Sequence, residues 1–83
     1  MDEVETRALL AEGLPNCEIE LISEGNKLSL RLTGNLFEGM NRVKRQQLVY
    51  GLLNEKITSG EIHAVSMTCK TPAELAEQGQ QIG

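Results

Sequence analysis

A single histidine, His63, is the strongest ligand-forming side chain in this 83-residue sequence. An imidazole can bind a metal, move a proton or donate one hydrogen bond from a partly buried position. The two cysteines, Cys17 and Cys69, are 52 positions apart and form no CxxC-type pair. They read as reduced thiols, buried or bystander, rather than half of a metal site. Three bases, Arg42, Lys44 and Arg45, fall within four positions. With Lys27 and Arg31 they could form a surface for a partner or for nucleic acid, or simply a solvated helix face.

Catalysis finds little support in these residue types. A Ser or Cys nucleophile needs a base beside it, and that base needs a third group to orient it. Ser66 lies three positions along the strand from His63 and so points to the opposite face. Glu18 and Glu20 are paired carboxylates on a strand with no pocket implied. The loop from Gly34 to Gly39 lacks the Lys-Ser/Thr that follows a phosphate-cradling Walker loop. The chain is therefore expected not to be an enzyme. A closed structural metal site needs about four ligands, so His63 could only share one with a partner.

The elements that must position these groups follow from periodicity. Residues 2–12 suit a helix capped by Asp2, with Val4, Ala8 and Ala11 on one face and Leu10 and Leu14 beside it. Gly13 and Pro15 stop it. CEIELI at 17–22 alternates, as does KLSLRLT at 27–33, and the Ser23–Asn26 cluster between them predicts a hairpin. A second helix capped by Asn41 runs to about Ser59, with Val49, Leu53 and Ile57 repeating every four residues. Gly51 interrupts it at a cost of about 1 kcal/mol relative to Ala, which a close backbone contact would explain. IHAVSMTC at 62–69 is a third strand. Thr71-Pro72-Ala73-Glu74 opens a short helix, about 72–78, through a capping box. The tail GQQIG is expected to fray. A strand–helix–strand crossover demands parallel pairing, which gives an α+β mixed three-stranded sheet with helices on one face.

Composition sets outer limits. Residues 1–83 make one domain, and with one Phe, one Tyr and no Trp the core must be aliphatic. The same scarcity argues against binding bases by stacking. The net charge of −4 is unevenly spread: residues 1–26 carry −6, residues 27–56 carry +4 and residues 57–83 carry −2. No run is long enough for a membrane span, and the acidic N-terminus does not resemble a signal peptide, so a cytoplasmic location is expected.

FEGMNRVKRQQLVYGLL followed by IHAVSMTCKTPAEL resembles the BolA family, most closely its short bacterial members of the IbaG type. The similarity extends over nearly the whole chain. It implies an αββαβα fold of the class II KH-like kind, and roles in iron homeostasis and stress response. It also implies partnership with a monothiol glutaredoxin and, with glutathione, a bridging two-iron two-sulfur cluster. The family's ligands are the histidine of the I-H-A motif, here His63, and a His or Cys in the hairpin loop. The second ligand is missing, because Lys27 stands where relatives carry His. Leu75 likewise replaces an aromatic residue of the T-P-x-x-W pattern. Some family members are described as DNA-binding regulators. A DNA-binding transcriptional regulator using the basic second helix is therefore the alternative to an iron–sulfur adaptor. A monomer or weak homodimer is expected in isolation.

Overall fold

Helix α1 (Glu3–Gly13), strands β1 (Glu18–Glu24) and β2 (Lys27–Thr33), a 3-10 turn (Asn35–Phe37), helix α2 (Arg42–Thr58), strand β3 (Ala64–Lys70) and helix α3 (Pro72–Gln80) follow in that order in the computed structural model. The structure describes residues 2–80, with side chains as far as Glu77. α3 runs two residues past the expected 78 and takes in residues 79–80 of the expected frayed tail, while residues 81–83 lie outside the described residues.

The hairpin is tighter than its turn cluster suggested. Glu24 pairs with Lys27, so Ser23 and Glu24 belong to β1 and the turn is only Gly25-Asn26. Gly25 has φ +60, the conformation that a two-residue turn with glycine first requires. β2 is central. It pairs antiparallel with β1 and parallel with β3, from Lys27↔Ala64 to Thr33↔Lys70. The parallel pairing follows from α2, which must cross from the end of β2 back to its start.

Alternation sorts the sheet into two faces. Leu28, Leu30 and Leu32 are buried at 3 % exposure or less and meet Leu10, Leu14, Phe37, Val49, Leu53 and Ile62. Glu18, Glu20, Ile22, Glu24, Ser29, Arg31, Ser66 and Thr68 are exposed on the other face. β3 begins two residues later than expected. Ile62 is buried and gives its N–H to the Lys56 carbonyl at 3.1 Å, so it joins the loop rather than the ladder.

The face of α1 differs from the expected one. Thr6, Leu10 and Leu14 turn inward, while Val4 is 80 % exposed and Ala8 and Ala11 face out. Burying a leucine is worth about 1.5–3 kcal/mol, well above an alanine, so the leucines set the rotation. Thr6 can accompany them because its hydroxyl donates to the Asp2 carbonyl at 2.8 Å. The three expected helix starts hold. Asp2 accepts from the Glu5 N–H, Asn41 from the Lys44 N–H, and Thr71 and Glu74 cap each other reciprocally.

Glycine 51 makes no close contact: a Cβ there would meet nothing within 4 Å. The close approach between α1 and α2 belongs to Gly13, where a Cβ would collide with the Leu52 side chain. Gly51→Ala should therefore raise stability by about 0.5–1 kcal/mol, the helix-propensity difference, as measured by urea denaturation.

Candidate functional site

His63 is carried by a loop whose residues are tied down in turn. The Gly60 N–H reaches the Ile57 carbonyl at 3.2 Å, and Gly60 adopts φ +87, a conformation that suits glycine. The Ser59 hydroxyl donates to the Lys56 carbonyl, and the Glu61 N–H reaches that hydroxyl. The His63 N–H then bonds the Asn26 carbonyl in the hairpin turn at 2.8 Å. The imidazole is exposed and lies over Gly60, with Nε2 3.6 Å from where a Cβ would stand. Among the described residues no side chain hydrogen-bonds the ring. The ring is thus accessible, on a backbone that is fixed.

Lys56 organises this loop and was not singled out from sequence. Its side chain is only 7 % exposed, yet it is charged. Nζ lies 2.7 Å from Glu5 of α1 and 3.2 Å from Glu61 of the loop. The hydrogen bond to Glu5, reinforced by Glu61, outweighs burial and raises the lysine pKa above 10.5. Raised stability of this kind is present below the ordinary lysine range and fades only as pH climbs through the higher folded value. The signal in the sequence was positional. Position 56 continues the buried stripe of Val49 and Leu53, where an apolar residue belongs.

Arg45 belongs to the same stripe, four residues before Val49, and its expected place on a basic surface is corrected. Its side chain is 12 % exposed. The guanidinium bonds the Met40 and Cys69 carbonyls, grips both oxygens of Glu74 at 2.7 and 3.2 Å, and lies 5.8 Å from the Phe37 ring centroid. It thereby fastens α3 to the end of β3. The Arg45 guanidinium, helped by the Thr71 N–H, holds the Glu74 carboxyl down at about 2.

The remaining bases do not gather into one surface. Arg42 and Lys44 are exposed at the start of α2. Arg31 is on the open sheet face beside Glu20 at 3.8 Å. Lys27 is at the opposite end of β2, about 13 Å from Arg31 along the strand. The structure does bring Lys27 beside the site, since it pairs with Ala64, next to His63. However, Lys27 is exposed and shares the outward parity of Ser29 and Arg31.

The cysteines are remote. Cys17 precedes β1 level with Gly34, about 25 Å along the strands from His63, and Cys69 is about 20 Å away. Burial pushes both thiols up, which disfavours the thiolate a metal requires. Among the described residues, no cluster of three His, Cys, Asp or Glu could hold a metal ion. The chain therefore fits a metal group as the donor of one imidazole, not as its container. No helix among the described residues is long and apolar enough to cross a membrane.

The family model for BolA-like proteins matches residues 15–74, which span the hairpin, α2, His63 and the capping box. The chain belongs to the BolA-like family. It is 42 % identical over 76 residues to the acid stress protein IbaG of Escherichia coli, covering 92 % of this chain and 90 % of that one. BolA1 from Arabidopsis thaliana superposes with a TM-score of 0.77 at 33 % identity, over 86 % of this chain and 92 % of that one. The BolA domain of SufE1 from the same plant gives 0.73 at 30 % identity, over 89 % and 98 %. The α+β fold of three helices on a mixed sheet is thus the BolA fold.

Two outcomes test these anchors. Glu5 and Glu61 are 66 % and 50 % exposed, so they can hydrate if the cation is lost, whereas Lys56 cannot follow them into water. Lys56→Met should therefore cost about 1 kcal/mol, and the double change Glu5→Gln with Glu61→Gln about 3, by chemical denaturation. The reverse order would refute the buried lock. The depressed Glu74 pKa supplies stability at any pH above the ordinary carboxylate range, and that stability fades as pH falls from about 4. Carboxyl carbon NMR should place the Glu74 midpoint near 2 and Arg45→Gln should raise it toward about 4.

Proposed function

We propose that this chain is an adaptor in iron–sulfur cluster assembly, trafficking or iron signalling. It binds a monothiol glutaredoxin and offers the His63 imidazole to a two-iron two-sulfur cluster shared with that partner and glutathione. Membership of the BolA-like family and similarity to the BolA domain of SufE1 support the pathway. The observation that carries the role of His63 is an exposed imidazole on a backbone clamped to the hairpin turn. Such a ring is presented outward, where a second protein can complete its coordination.

Histidine in place of thiolate raises the reduction potential of a two-iron cluster, and that is the chemistry the bound group would gain here. The chain's own residues hold the ring in place. Asn26 fixes the His63 backbone, Gly60 leaves room beneath the ring, and Lys56 with Glu61 fixes the approach from α2. Lys27 contributes no donor, so in this reading the protein brings one ligand where the family resemblance implies two. In this reading the chain catalyses nothing. Regulation by DNA binding has less geometric support, because Arg45 is committed to Glu74 and the other bases are dispersed.

The test is a titration of holo monothiol glutaredoxin followed by visible absorption and circular dichroism. The wild-type chain should change the cluster spectrum, and His63→Ala should bind without changing it. No spectral change, together with no binding by calorimetry, would sink the proposal.

A further inference from the structure

The two edges of the sheet are treated differently. β1 presents Glu18, Glu20 and Glu24 along its outer face, a column of like charges that deters a further strand. β3, the other edge, carries Ala64, Ser66, Thr68 and Lys70 there, with no proline. Ladder geometry shows which of its backbone groups lack a partner. The Ala64 N–H reaches Asn26 and the Lys70 carbonyl accepts from Gly34, so the even positions face β2. Val65, Met67 and Cys69 therefore direct their N–H and C=O groups to the open edge. Arg45 takes the Cys69 carbonyl from that side. Among the described residues nothing bonds the Val65 and Met67 groups or the Cys69 N–H there.

Beside this edge runs a groove of about 460 Å³ between β3 and the start of α2. Met40 and Met67 give it a soft apolar floor, and Arg42 and Lys70 provide charge. Its one acid, Glu74, is neutralised by Arg45, so the groove is locally positive on a chain with net charge −4. An anionic segment is repelled by the acidic α1–β1 side and drawn to this one.

We propose that the β3 edge and this groove form a docking site for an extended acidic peptide segment of a partner protein, which adds as a fourth strand. The segment alternates apolar and acidic residues. Its apolar side chains meet Met40 and Met67, and its acids run beside Lys70 and Arg42. Main-chain bonds to Val65, Met67 and Cys69 supply affinity, and the groove supplies selectivity. This site stands independently of any iron–sulfur role for His63.

The probe is a short fluorescein-labelled peptide of alternating Val and Glu, titrated into the intact protein by anisotropy. Amide exchange is read in parallel. Binding should slow exchange at Val65, Met67 and Cys69. N-methylation of alternate peptide amides, or the double change Lys70→Glu with Arg42→Glu, should weaken binding about tenfold or more. Equal affinity for the N-methylated peptide, or no protection at those three amides, would overturn strand addition. Tighter binding of single-stranded DNA to the same residues would overturn the peptide assignment.

Discussion

Parallel pairing of β3 with β2 is the constraint on which the rest of this small protein depends. Two parallel strands cannot be joined by a turn, so α2 must cross the sheet and return the chain to the hairpin end. The crossover covers the buried leucines of β2, and it also delivers His63 to the Gly25-Asn26 turn. The imidazole and the hairpin loop are neighbours because of the topology, although 36 positions separate His63 from Lys27 in the sequence. The other end of the same crossover holds the basic start of α2 beside the last residues of β3.

Two inward-turned cations fix those two ends. Lys56 joins α1, α2 and the His63 loop, and Arg45 joins α2, β3 and α3. Each lies on the buried stripe of α2, and each is satisfied by carboxylates that remain partly in water. A buried charge is a costly way to gain stability, since desolvation offsets much of the attraction. Its value here is geometric: a bond that demands both direction and partner sets where a loop and a helix stand, which apolar contacts alone specify less sharply.

Much of this was legible in the sequence, for reasons that can be named. Strict alternation in Lys27–Thr33 fixed β2 to the residue, and Thr71-Pro72-Ala73-Glu74 fixed the start of α3, because these signals are local. His63 stood out as the single histidine. The inward turn of Arg45 and Lys56 was not legible, because charge suggested surface although steps of four and three from Val49 and Leu53 placed both on the core face. The rotation of α1 is not set by the alanine spacing, because burying Leu10 and Leu14 outweighs burying Ala8 and Ala11. The close contact sought at Gly51 belongs to Gly13. No local pattern announces a contact between two helices, since it depends on how they pack.

The central claim is that His63 lends its imidazole to a cluster shared with a monothiol glutaredoxin. Because the chain has one histidine, it can be tested by labelling. This chain alone is grown with ¹⁵N-histidine, combined with unlabelled holo glutaredoxin, reduced, and examined by electron spin echo envelope modulation. A ¹⁵N coupling that appears with the label and vanishes in His63→Ala is the predicted result. A cluster spectrum indifferent to the label would contradict it.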